Sequence, residues 1–368
     1  MGARTAIIVP SIRLKSVGVH KIQDHMTCGR LYFWKWVLNL IPRRINIAFW
    51  FGSVMHKANE FIPLVGTMPL KKLLPIIYKA MEKESKRASR GYIISPNIAD
   101  EMALQFEIGK IMIAFYLRHF KDSLEEFKII GTEVHFTKKL KQSPVIFQGT
   151  IDAYGKIGKR LALKEIKTAA RISKEYFARL KFDKQINGYA IGVHEIEGRY
   201  PSYCPYTVFR KPGIRVRKNE TVPQFLKRLK GDLKKRADWY YIVEPLRFGK
   251  QSIYAVLQDI EQETFDMNCK YDFFKIKDLL DPFNWARNDR ACFNYGVCPY
   301  FILCKNCFNY KLYIQFYMMR DIRYPLEHKE LSKRIKIKSK VISKIKMAQD
   351  VMPDSDMVAL TNERFNDG

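Results

Sequence analysis

Residues 145–169 read VIFQGTIDAYGKIGKRLALKEIKTA, and this stretch decides how the rest of the chain is read. Val145–Tyr154 and Arg160–Lys167 are short and rich in β-branched, aromatic and other apolar residues, and Gly155-Lys156-Ile157-Gly158-Lys159 separates them. That is the pattern of two strands joined by a hairpin turn. The Gly/Lys turn is no phosphate loop, because Arg160 stands where Ser or Thr is required and no helical pattern follows. Within the second strand, Glu165 and Lys167 lie two apart and share a face, continuing the one that begins with Leu161 and Leu163. Strands otherwise avoid Glu and Lys on a face shared with leucines. A hairpin can bring Asp152 alongside them. Two carboxylates would then converge beside an ammonium, a hard-oxygen set suited to Mg²⁺ or Mn²⁺ next to a cation able to orient water.

Working outward, Phe127–Lys138 reads as a preceding strand, Ser173 to about His194 as a helix, and Tyr203–Arg210 as a further strand. Three strands, a helix and a strand after a helical preface predict an α/β core with a mixed central sheet. The preface comprises a helical stretch over Val19–Leu40 interrupted at Gly29, a short helix capped by Ser53 and running through Phe61, and longer helices over Leu70–Arg87 and Ile98–His119. The cap at Ser53 puts His56 in the first turn of its helix. Gln185 and Tyr189, at i and i+4, share one face of the helix that follows the Glu165-x-Lys167 strand. Beyond Lys211 the sequence is mainly helical and basic.

The 368 residues carry 65 Lys and Arg against 37 Asp and Glu, a formal charge of +28, and 47% are hydrophobic. That apolar content excludes disorder as the main state. The most apolar stretch, Leu31–Phe51, is broken by Lys35, Arg43 and Arg44, so no spanning helix is expected. With no hydrophobic leader, an intracellular (cytoplasmic) protein with no membrane partner is expected. So large a positive charge calls for a polyanion, nucleic acid first. Between Lys333 and Lys346 there are seven Lys/Arg and no acid, which reads either as a solvated arm or as an extension that grips DNA.

Cysteines stand at 28, 204, 269, 292, 298, 304 and 307, four of them within sixteen residues. In a chain with no secretory leader, that clustering points to metal ligation rather than disulfides. Cys292, Cys298, Cys304 and Cys307 alone could form a closed zinc site in a non-catalytic nucleic-acid-binding module. That reading leaves Cys28 idle and gives Glu165-x-Lys167 no purpose. Cys204 and Cys269 read as ordinary buried thiols.

Taken in order, His56 in Gly52-x-x-x-His56, Gly149-Thr-Ile-Asp152, Glu165-Ile-Lys167-Thr-Ala and Gln185-x-x-x-Tyr189 resemble the RecB-type branch of the PD-(D/E)XK nucleases. Cys28-Gly-Arg-Leu-Tyr-Phe and Cys292-x5-Cys298-Pro-Tyr-x3-Cys304 resemble the upstream and closing cysteines that hold a [4Fe-4S] cluster in many of its members. The resemblance spans about residues 16–307. It departs in the five-residue gap after Cys292, in Cys307 as a further candidate ligand, and in Ile151 where the family's Pro would stand.

The resemblance implies a restriction-endonuclease-like core flanked by N-terminal helices and a C-terminal, cysteine-containing helical segment. It divides the chain into a helical region with the upstream cysteine and His motif (1–125), the nuclease core (126–215), a helical region ending in the cysteines (216–310) and a basic extension (311–368). It implies His56, Asp152, Glu165 and the Ile166 carbonyl as ligands of Mg²⁺ or Mn²⁺. Lys167 would position water, Gln185 and Tyr189 would hold the DNA strand and the site geometry, and Cys28, Cys292, Cys298 and Cys304 would bind the cluster. Glu133 matches an acidic position often seen on the first strand. The expected activity is an exonuclease acting on DNA ends in recombination, repair or replication, with a structure-specific endonuclease of the same fold as the alternative. No Walker motif is present, so a helicase or recombination protein would be a separate partner.

Overall fold

The computed structural model describes residues 14–294 and 296–319. Eight strands are present among them: β1 (Ser16–Val17), β2 (Leu40–Pro42), β3 (Phe127–Lys139), β4 (Ile146–Ile157), β5 (Arg160–Ala169), β6 (Tyr203–Arg210), β7 (Tyr241–Arg247) and β8 (Tyr317–Met319). All but β2 and β8 form one mixed sheet, in which β3 runs antiparallel along one edge of β4. The other edge of β4 is shared. Ser16 and Val17 pair in parallel with Ile146 and Phe147, and β5 pairs antiparallel with Ala153–Ile157. Between those two pairings β4 forks away from its neighbour, and Asp152 sits at the fork. β5 then pairs in parallel with β6, which pairs antiparallel with β7. The expected α/β architecture, a mixed central sheet flanked by helices with a cysteine-rich C-terminal part, is the one observed.

The β4–β5 turn is tighter than the sequence suggests. Ile157 pairs with Arg160, leaving Gly158-Lys159 as a two-residue loop with Gly158 at φ +57°. A positive φ at a hairpin corner suits glycine.

Two apolar cores flank the sheet. The first holds Phe136, Phe147, Leu161 and Leu163 together with Ile186, Tyr189 and Ala190 of the Lys184–Glu197 helix. That helix lies close because Gly188 and Gly192, one turn apart, face the sheet. A Cβ on Gly192 would stand 2.4 Å from the Phe136 ring, and one on Gly188 3.2 Å from Phe147. The second core joins the helices Ile47–Asn59, Leu70–Ala88, Pro96–His119 and Val222–Lys235 to Ile166 and Phe209 of the sheet. Ile166 thus faces away from Leu161 and Leu163, as two-residue periodicity requires.

Several local expectations need correction. The helix carrying His56 begins at Ile47, not after Ser53, because the Asn46 side chain accepts hydrogen bonds from the amides of Ala48 (2.9 Å) and Phe49 (3.2 Å). His56 therefore lies in the last turn, not the first. The 19–40 stretch breaks at Cys28, which is extended (φ −168°, ψ 122°), continues through a short helical turn and a π turn, and ends on a strand. The helix expected from Ser173 is three pieces, Lys174–Ala178, the 3₁₀ turn Arg179–Phe182 and Lys184–Glu197, the last capped by Asp183. Strand β7 falls in a region read as helical; it is an edge strand, where Pro245 costs little. The basic run Lys333–Lys346 lies outside the described residues.

Candidate active site and cysteine cluster

The fork in the sheet assembles the site. Ala153 pairs with Lys164, so one step further along the splaying strands Asp152 comes opposite Glu165. His56, delivered by the last turn of its helix, places Nε2 3.0 Å from Asp152 Oδ2 and 3.9 Å from Glu133 Oε1. Lys167 Nζ lies 2.5 Å from Glu165 Oε1. Tyr189 donates its hydroxyl to Asp152 Oδ1 (3.2 Å) and accepts from the Gln185 amide (2.9 Å). Ile166, on the other face of β5, lines the same cleft as His56, Glu133 and Asp152, a space of about 30 Å³. That is room for one or two waters, and its lining includes Lys164 but not Glu165 or Lys167, which lie on the opposite face of β5. Every side chain singled out around the Glu165-x-Lys167 pair is therefore brought to the fork.

The electrostatics are those of a coupled cluster in which His56 and Lys167 face the Asp152 and Glu165 carboxyls. Burial drives the Glu165 carboxyl up, Lys167 opposes it and Asp152 adds to it, leaving it at about 7. Glu165 is 1% exposed, and the donor that meets its carboxyl is the Lys167 ammonium at Oε1. Burial also pushes on Asp152, but the His56 hydrogen bond and charge, with Lys167 and Tyr189, outweigh it and hold Asp152 below its usual range. The Asp152 hydrogen bond raises His56 to about 9 against the opposing effect of burial. Burial depresses Lys167, and Glu165 and Asp152 more than reverse it. Two carboxylates and an imidazole brought together beside an ammonium are hard oxygen and nitrogen donors of the kind that hold a divalent cation.

Sequence reasoning missed Glu60. His56 Nδ1 lies 4.0 Å from Glu60 Oε1, and His56, Glu60 and Glu133 have ligand atoms within 4.8 Å of one another. The signal was present, since Glu60 follows His56 by one helical turn. Glu133 carries φ +51°, a left-handed backbone unusual for a side chain other than glycine. Its carboxyl is raised, chiefly by burial.

The N-terminal helices meet the C-terminal cysteines at a second place. Gly29 packs on the backbone of Ala286, where a Cβ would lie 2.9 Å from the carbonyl oxygen, and the Asn288 amide donates to Cys28 Sγ at 3.4 Å. The Trp34 indole donates to Cys304 Sγ at 3.1 Å, and the Cys298 amide to the Cys292 carbonyl at 2.8 Å. Burial raises the thiols of Cys292, Cys298 and Cys304, the last to about 11. Beyond burial, Cys292 is raised by Cys28, Cys298 by Cys292 and Cys28, and Cys304 by Cys298 and Cys28. Cys307, also raised by burial, feels Arg30, Asp281 and Arg287 instead of those thiols. Cys204 is buried as expected, but Cys269 is exposed.

No family model matches the chain, and no curated protein matches it. Among solved structures, a protein from Eubacterium rectale named as a candidate exonuclease is similar, at a TM-score of 0.44 and 11% identity, covering 77% of this chain and 90% of that one. Among the described residues no helix is long and apolar enough to cross a membrane.

Proposed function

We propose that this protein is a metal-dependent DNA nuclease of the RecB-type PD-(D/E)XK branch, an exonuclease processing DNA ends, with a structural [4Fe-4S] cluster. The observation that carries the reading is the convergence of Asp152, Glu165 and Lys167 with His56 and Tyr189 at the fork between β4 and β5, where the buried Glu165 carboxylate is paired with the Lys167 ammonium. Charge supports the substrate class, since a net +28 suits a phosphodiester polymer.

His56, Asp152, Glu165 and the Ile166 carbonyl would hold Mg²⁺ or Mn²⁺, which supplies Lewis-acid polarisation of the phosphoryl oxygens and a more acidic water. The Lys167 ammonium orients the attacking water and stabilises charge on phosphorus. Water oxygen adds to phosphorus as the bond to the leaving oxygen breaks, and that oxygen takes up a proton. Tyr189, anchored by Gln185, fixes the Asp152 carboxylate. Glu60 lies at the Nδ1 edge of the His56 imidazole, and Glu133 shares the Nε2 edge with Asp152.

Cys28, Cys292, Cys298 and Cys304 would bind the cluster, stapling the chain's ends across the core.

The test is digestion of 5′- and 3′-labelled linear and circular DNA by anaerobically purified protein with Mg²⁺ or Mn²⁺. Loss of linear DNA from labelled ends, abolished by EDTA and by Asp152→Asn, is expected. Cleavage of circular DNA would favour the endonuclease form of the same fold. Unchanged activity in Asp152→Asn would overturn the assignment.

A further inference from the structure

The catalytic fork does not use the most cationic stretch of the described chain. Residues 210–236 hold eleven Lys and Arg against two acids, a net +9 in 27 residues. Both acids are already neutralised locally. Glu220 pairs with Arg228 through two hydrogen bonds (2.6 and 2.7 Å), and Asp232 pairs with Arg236. Nine cations remain with no ion pair among the described residues.

Their arrangement is built rather than scattered. The Val222–Lys235 helix buries Phe225, Leu229 and Leu233 in the second core and leaves Lys227, Lys230 and Lys234 exposed, at i, i+3 and i+7, as one stripe. Seven residues of helix span about 10 Å, the axial rise of about three phosphates of one strand. At the stripe's foot, Trp239 is 38% exposed and flanked by guanidinium groups, with Arg210 4.4 Å and Arg236 4.6 Å from its ring centre. Arg210 is fixed there by a 3.0 Å hydrogen bond to the Trp239 carbonyl.

The patch also begins next to the proposed site. Arg210 pairs with Ala169, four residues beyond Glu165 on β5, a distance of about 13 Å along the strand. Lys211 bonds back to the Ala169 carbonyl through its amide, and its ammonium reaches the Ala48 carbonyl at the start of the His56 helix. An anionic membrane is the poorer match, because the helix's apolar face is already spent in the core and has nothing to insert.

We propose that residues 210–239, still net +8 with the exposed Asp238 included, form a nucleic-acid-binding surface. Lys227, Lys230 and Lys234 would grip the phosphate backbone, and the Arg210–Trp239–Arg236 stack would sit between that stripe and the fork. The inference rests on the chain acting on nucleic acid, not on its cleaving it.

The test uses the full chain carrying Asp152→Asn, so that the probe survives. Anisotropy of labelled single- and double-stranded oligonucleotides is followed from 50 to 200 mM salt, with and without Lys227→Gln/Lys230→Gln/Lys234→Gln. The triple variant should weaken binding at least tenfold at low salt and reduce the log–log salt slope by about 2–3, at 0.7–0.9 per lost phosphate contact. Whichever probe loses more identifies the form the surface holds. A control triple, Lys71→Gln/Lys72→Gln/Lys79→Gln on another exposed helix, should change little. Equal loss in both triples, or no loss in the first, would overturn the proposal, as would loss of binding to phosphatidylserine vesicles with oligonucleotide binding intact. The nuclease reading fails separately: a wild-type chain that binds but never cleaves, and loses binding with the first triple, leaves this surface standing.

Discussion

His56 Nε2 lies 3.0 Å from Asp152 Oδ2, so the end of the Ile47–Asn59 helix is tied directly to the fork of the sheet. The motifs around the two residues lead to the expectation that they share a site, and the structure brings them into direct contact. The contact is made because the helix packs along β5 while β4 and β5 part company at Ala153 and Lys164.

Asp152→Asn and Glu165→Gln should each lower the cleavage rate at least a thousandfold, about 4 kcal/mol of barrier. Oligonucleotide affinity should stay within a few-fold, because both substitutions are isosteric and the basic surface is untouched. Single-turnover rates and anisotropy on the same preparations check this. A Glu165→Gln protein that cleaves normally would remove the buried carboxylate from the mechanism.

The core of this site was legible because its signals are local. Glu165 and Lys167 on a leucine-bearing face, the Gly-Lys turn and the Gln185/Tyr189 spacing all lie within short stretches, and the three central strands begin within a residue of where the pattern put them. What was not legible depends on packing. Asn46 outcompetes Ser53 as a cap, and the break expected at Gly29 falls on Cys28, because Gly29 is needed against Ala286. β7 was hidden because Pro245 and Glu244 spoil a strand pattern that only an exposed edge tolerates.

Glu133 offers a test of stored strain. At φ +51° a residue with a Cβ costs roughly 1–3 kcal/mol, and glycine returns about 0.5–1 kcal/mol of that through its greater freedom when unfolded. Glu133→Gly should therefore be more stable than Glu133→Ala, by about 1 kcal/mol in urea unfolding. The reverse order would mean that the backbone at 133 relaxes at no cost.

Gly192→Ala should destabilise the protein by about 1–3 kcal/mol, because the new Cβ would stand 2.4 Å from the Phe136 ring and the ring has nowhere to retreat in the core. Pushing the helix outward also moves Tyr189 away from Asp152, so cleavage should fall more than stability alone accounts for. Phe136→Leu in the same chain should recover part of both losses. A fully stable Gly192→Ala protein would show that the helix does not depend on this close approach.

The cysteines give the sharpest test, because two metal readings assign them differently. Serine at Cys28, Cys292, Cys298 or Cys304 should bleach the brown colour of anaerobically purified protein and lower its melting temperature. Each thiol lies at the junction of the N-terminal helices with the C-terminal segment, and losing the group releases a closure spanning most of the chain. Cys307→Ser and Cys269→Ser should keep the colour, since Cys307 senses Arg30, Asp281 and Arg287 rather than the other thiols, and Cys269 is exposed on a separate helix. Iron and sulfide analysis beside the visible spectrum decides the outcome. A colourless protein holding one zinc, intact in Cys28→Ser and lost in Cys307→Ser, would move the site to the four downstream cysteines. The N-terminal helices would then be held by Gly29, Trp34 and the packing around them, and not by a shared cluster.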